Sequence, residues 1–173
     1  MNHDLAADLD RAFPGWMRGM QNGIYSGVRR LVPSAADAED ITQETFIRAY
    51  RALSGYSPDR IRELNLPGWT WTIAVNLCRN AARTRSRRPR TVELDRDVFH
   101  RQDGPERHAL TAEENAAWEA RLSRLSPAQR TAVVLRHVVG LPYKDIAEAT
   151  GRAEGTVKTD VHRGLAKLQE TLL

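Results

Sequence analysis

The sequence predicts an all-α protein of two small helical domains joined by a flexible linker, the second containing a helix-turn-helix. Three observations predict it. Apolar residues recur at helical spacing along most of the 173 residues, and no strand-like alternation appears between turn signals. That periodicity lapses between 89 and 110, where charge is mixed with Gly104 and Pro105. After Leu141 a short helical pattern, a glycine and a longer helical pattern follow one another. The expected division is residues 1–88, a linker over 89–110, and residues 111–173.

In the first helix Trp16, Met20, Ile24, Val28 and Leu31 follow near-helical spacing, with Gly15, Gly19, Gly23 and Gly27 at every fourth position beside them. Each interior glycine costs up to about 1 kcal/mol of helix propensity. The ladder is either a close-packed interface with another helix or a tolerated weakness. Arg18 and Gln21 rule out a membrane dimer motif. A second helix is expected from near Ala36 to Leu53, with Ile41, Thr45, Phe46, Ala49 and Leu53 on one face. Asp40, Gln43, Glu44, Arg48 and Arg51 largely fall elsewhere. Ser54 to Gly68, with glycine, serine and two prolines, reads as a loop.

The third helix runs from Trp69 to about Arg87, with Trp69, Ile73 and Leu77 toward the core, and Pro89 stops it. Past the linker, Thr111 with Glu114 makes a capping box for a helix through Leu122. Ser126, Pro127 and Gln129 start another, which ends at Gly140. In the helix-turn-helix, Ile146 and Ala147 sit on the first helix and Gly151 supplies the left-handed turn. Val157, Val161, Leu165 and Leu168 are the core face of the second.

Composition narrows the function. Lys and Arg number 26 against 22 Asp and Glu, a net charge of only +4, so placement matters more than total. Arginines stand at 79, 83, 85, 87, 88 and 90 with no acid among them, a block that attracts polyanions in a salt-dependent way. The one cysteine, Cys78, excludes an intrachain disulfide and fits a reducing compartment; its apolar surroundings suggest a buried, inert thiol. Neither a signal peptide nor a membrane span is visible, which predicts a soluble cytoplasmic protein without membrane insertion. The five scattered histidines and single cysteine build no zinc cluster. No nucleophile–base pairing or phosphate-cradling loop stands out. No metal, cofactor or enzymatic activity is expected.

Two candidate nucleic-acid faces remain. Thr156, Lys158, Thr159, His162 and Arg163 lie opposite the core face of the last helix and suit base edges and phosphates. Asp160 among them pairs with Arg163 one turn on, turns away from DNA, or accepts a hydrogen bond from cytosine; the first is favoured. On the third helix Asn76, Arg79, Asn80 and Arg83 form a polar face leading to Arg87 and Arg88. Trp71, off the core face, and Tyr56 in the preceding loop are a candidate platform for stacked bases; partial burial is the alternative.

Together these segments resemble the extracytoplasmic-function group of bacterial sigma-70 family sigma factors. DAEDITQETFIRAYRAL (Asp37 to Leu53) is similar to that group's polymerase-binding helix. GWTWTIAVNLCRNAARTRSRR is similar to its start-proximal promoter helix, and SPAQRTAVVLRHVVGLPYKDIAEATGRAEGTVKTDVHRGLAKL to its promoter-reading domain. The resemblance implies that Asp40, Gln43, Glu44 and Arg48 bind core RNA polymerase, and that the loop before Trp69 captures an extruded base. It implies that Asn76, Arg79, Asn80 and Arg83 engage the minus-ten element of promoter DNA, and that Thr156, Lys158, Thr159, His162 and Arg163 read the minus-thirty-five element. It also implies an anti-sigma protein as a partner. Asp160 departs from the arginine frequent in the family. The rival reading is a stand-alone helix-turn-helix repressor or activator, which leaves the Asp37–Leu53 helix and the arginine block without a role.

Overall fold

The computed structural model describes residues 1–87 and 112–170 and, among them, α-helices with no strand. The helices are α1 (Asn2–Ala7), α2 (Leu9–Arg29), α3 (Ala35–Ser54), α4 (Pro58–Glu63), α5 (Leu66–Arg87), α6 (Ala112–Leu122), α7 (Pro127–Val133), α8 (Tyr143–Thr150) and α9 (Glu154–Glu170). A π-helical turn, Val134–Val138, continues α7.

Local chemistry explains most boundaries. The Ser34 hydroxyl accepts from the Asp37 N–H and starts α3. Ser126 and Gln129 form the expected reciprocal capping box on α7. Gly140 and Gly151 take φ of +84° and +66°, the left-handed turns that bracket α8. The Thr111 half of the other capping box, like residues 88–110, lies outside the described residues.

Two helices were not anticipated. α4 falls inside the segment read as a loop; Ser57 caps it and Pro58 opens it, but six residues carry little periodicity. α1 packs against α4, where the Asn2 side-chain amide donates to the Leu64 carbonyl at 2.7 Å. α5 also begins earlier than expected, at Leu66.

The predicted face of α3 is buried as a whole: Ile41, Thr45, Phe46, Ala49 and Leu53. Phe46 meets Trp16 of α2 edge-on at 5.7 Å between ring centroids. The core face of α5 differs from expectation. Leu77 is buried, but Trp69 and Ile73 are half-buried, and Thr70, Trp71, Ala74, Val75 and Cys78 go inside instead. The reason is that α5 is clasped from two sides, by α3 and by α8, so it buries more than one stripe.

The second unit packs α7 against α9 across Gly164, where an added β-carbon would stand 2.6 Å from Val133 Cγ2. Val157, Val161 and Leu168 of α9 point inward as predicted, with Leu165 half-buried. The main apolar core is continuous between the two units, joining Trp71 and Val28 to Leu135, Leu141 and Ile146.

Candidate nucleic-acid interface

The turn between α8 and α9 is the left-handed Gly151, which aims α9 across the unit. Its core residues point in, and Thr156, Lys158, Thr159, His162 and Arg163 are all exposed on the remaining surface. Thr159 donates its hydroxyl to the Gly155 carbonyl at 2.9 Å, which fixes its rotamer. Lys158 pairs with Glu154 at 2.8 Å, an exposed contact easily exchanged for phosphate. Asp160 does not pair with Arg163. Its Oδ2 lies 2.6 Å from Arg152 Nη1, an ion pair across the turn without hydrogen-bond alignment, and its side chain is 15% exposed. The carboxylate is therefore neutralised at the flank of this exposed face.

Along α5 the polar face is as predicted: Asn76, Arg79, Asn80, Arg83 and Arg87 are exposed. Arg85 of the same block is tied to Asp37 of α3. Arg79 has an unanticipated partner, donating to the Thr150 carbonyl at the end of α8 at 2.8 Å. Arg88 lies outside the described residues.

The aromatic platform needs correction. Trp71 is 1% exposed and offers no face to a base; the burial alternative holds. It turns toward Gly27 of α2 and Val139, because that side of α5 is covered by the other unit. Trp69 is the tryptophan beside Tyr56, with ring centroids 6.0 Å apart. The Arg60 guanidinium stacks over the Tyr56 ring at 3.6 Å. Arg60 was missed, although its position four residues after Tyr56 was a readable signal.

On α3, Asp40, Gln43 and Arg48 are exposed, and half-buried Glu44 forms an ion pair with Arg48 at 2.6 Å. Ile47 and Tyr50, each 37% exposed, add apolar area to this charged helix surface. They too were missed; the signal was their position off the buried stripe. Tyr50 donates to Asp10, and that carboxylate raises its pKa.

Burial pushes the Cys78 thiol up to about 12, so it stays protonated and unreactive near neutrality. Arg30 and Arg130 are held below the ordinary guanidinium value by desolvation. Among the described residues no group of three or more His, Cys, Asp or Glu is placed to hold a metal ion, and no helix is long and apolar enough to cross a membrane.

Comparison with known proteins covers both units in order. Residues 16–88 match the family model for sigma-70 region 2, and residues 116–168 match that for sigma-70 region 4. The chain is 35% identical over 166 residues to the extracytoplasmic-function (ECF) RNA polymerase sigma factor SigE of Mycolicibacterium smegmatis, covering 93% of this chain but 63% of that protein. It is 32% identical over 171 residues to the RNA polymerase sigma-H factor of Pseudomonas aeruginosa, covering 94% of this chain and 86% of that one. It superposes with a TM-score of 0.74 and 25% identity on the sigma factor RpoE of Bartonella quintana, crystallised with the anti-sigma factor NepR; 94% of this chain and 97% of that chain are covered.

Proposed function

We propose, from the premise that this chain belongs to the ECF group of sigma-70 family sigma factors, that it is a dissociable initiation subunit bringing core RNA polymerase to a promoter and trapping the melted strand. Such factors are initiation factors rather than catalysts. Residues 1–88 would bind polymerase and the minus-ten element, and residues 111–173 the minus-thirty-five element, with 89–110 between them. Asp40, Gln43, Glu44 and Arg48 would dock on polymerase, with Ile47 and Tyr50 supplying apolar contact. Thr156, Lys158, Thr159, His162 and Arg163 would read duplex in the major groove. Asn76, Arg79, Asn80, Arg83, Arg87 and Arg88 would hold the opened strand. Tyr56 and Trp69 would stack the extruded base beside Arg60. The setting is cytoplasmic, and an anti-sigma protein is a further partner, as for the NepR-bound relative.

Opening follows from differential binding. A surface that prefers an unpaired strand to duplex shifts the equilibrium toward the open form. Each step opened costs on the order of 1–2 kcal/mol of stacking, and a base stacked on an aromatic returns about 1–3 kcal/mol. A few captured bases offset several steps while polymerase grips the rest.

The observation that carries this reading is the presence on one chain of two exposed polar faces, on α5 and α9, beside an apolar-and-charged α3 surface. The test is transcription in vitro with core polymerase on a genomic promoter library. Start sites absent with core alone are expected. A chain giving core no start-site selectivity on any template overturns it.

A further inference from the structure

We propose that Asn2 is a positioning residue for strand capture: its side-chain amide clamps the junction of α4 and α5 and so holds Tyr56, Arg60 and Trp69 in the arrangement that receives an extruded base. This rests on the reading of Tyr56 and Trp69 as the stacking pair. It extends the capture machinery to a residue of α1 that touches no base itself.

The platform draws its parts from separate elements. Tyr56 stands in the turn after α3, Arg60 on α4 and Trp69 on α5. Their spacing is set by α4, the six-residue helix between the two aromatic rings. A helix that short has little stability of its own. Its N-terminus is fixed by Ser57, whose hydroxyl accepts from the Arg60 N–H at 3.3 Å. Its C-terminus ends in carbonyls that lack donors within the helix.

Asn2 meets that end. Its Nδ2 donates to the Leu64 carbonyl at 2.7 Å and lies 3.2 Å from each of the Ile61 and Arg62 carbonyls. An amide nitrogen carries two hydrogens, so one goes to Leu64 and the other is shared between Ile61 and Arg62. Three acceptors around one atom also fix which end of the amide is nitrogen. The Leu64 carbonyl accepts in addition from the N–H of Leu66, the first residue of α5, at 2.9 Å. The amide of Asn2 therefore joins the last turn of α4 to the start of the helix that carries Trp69.

Apolar contact alone would not set this register. Leu5 of α1 and Ile61 of α4 are buried in one cluster, but such burial is non-directional. Hydrogen bonds weaken steeply off line, so the amide fixes where α4 sits between Tyr56 and Trp69. A binding constellation works only when its parts are held to within about 0.5 Å.

The test is a cycle between Asn2 and the captured base. Asn2→Asp keeps the side-chain shape, removes both donors, and leaves an acid at the first position of α1, where the helix dipole favours it. The full chain bound to core polymerase is titrated with fork-junction DNA from a promoter recovered by the transcription screen. The fork is intact, or abasic at each minus-ten position of the non-template strand in turn. Asn2→Asp should weaken binding of the intact fork about threefold to tenfold, the range given by a lost hydrogen bond. It should bind the fork that is abasic at the captured position as the parent does, with polymerase affinity unchanged. Tyr56→Ala should show the same selective loss, and Asn2→Asp should add nothing to it. Equal weakening on intact and abasic forks, or parental binding of both, overturns the positioning role. If the Asn2→Asp chain does not fold, Asn2→Leu, of similar size and equally without donors, is read by the same criteria. The two failures are distinguishable. A Tyr56→Ala chain that binds both forks as the parent does defeats the stacking platform, whereas a selective loss with Tyr56→Ala but not with Asn2→Asp defeats the role of Asn2 alone.

Discussion

Val139 sits over Gly27, its Cγ2 2.8 Å from where a β-carbon on that glycine would stand, with the Trp71 ring pressed against the same point. One rung of the glycine ladder is therefore a close-packing site. Gly15, Gly19 and Gly23 would each put a β-carbon into open space. Gly27→Ala should cost about 1–3 kcal/mol through overpacking. Alanine at each of the other three should stabilise by up to about 1 kcal/mol through helix propensity. Urea denaturation of the four single variants checks this, and a Gly27→Ala chain as stable as the parent would contradict the packing assignment.

Trp71 and the Tyr56–Trp69 pair should separate stability from function. Trp71→Ala empties a fully buried site and should cost about 3–5 kcal/mol. Tyr56→Ala, at the partly exposed Trp69 pair, should cost about 1 kcal/mol yet lower strand opening severalfold at unchanged polymerase affinity. Permanganate reactivity of thymines in the bubble reads the opening. A Tyr56→Ala chain that opens promoters like the parent rules out the platform.

What was legible divides along physical lines. The α3 stripe and the core face of α9 each follow one apolar period, so Ile41 to Leu53 and Val157 to Leu168 were placed from sequence. Trp71 was misplaced because its partners, Gly27 and Val139, lie 44 and 68 residues away, and periodicity within one helix carries no information about a neighbour that docks on its second side. Asp160 went to the wrong arginine for a related reason. Helical spacing favoured Arg163, whereas the turn at Gly151 folds Arg152 back within reach. The exposed polar residues of α5 and α9 were readable by exclusion from the core; the tie from Arg79 to the Thr150 carbonyl was not, since backbone acceptors leave no mark in a sequence.

Alkaline destabilisation should report Cys78. Its thiol is raised from 9.0 to about 12 by burial, so between these values the unfolded chain has released the proton that the folded chain keeps. The contribution is complete below pH 9 and declines as pH rises toward 12, by about 1.4 kcal/mol per pH unit. Urea midpoints at pH 8, 9 and 10 should fall more steeply for the parent than for Cys78→Ala. Parallel slopes would show the thiol to be accessible to solvent.

Asp160 should matter for stability and little for promoter choice. It occupies the flank of α9, against Arg152 in a recess also lined by Arg79 and Ala128. Its side chain is 15% exposed and that of Arg152 34%, which sets the pair between surface bridges worth about 1 kcal/mol and buried ones whose breakage costs 3–5. Asp160→Ala should therefore cost about 1–3 kcal/mol. Asp160→Arg should cost more by setting two guanidinium groups together, and the exchange Asp160→Arg with Arg152→Asp should recover part of the loss. The upstream-element preference should stay the same in Asp160→Ala, because the carboxylate is already neutralised by Arg152. A changed preference at a cytosine, with stability intact, would instead make Asp160 a base-reading residue.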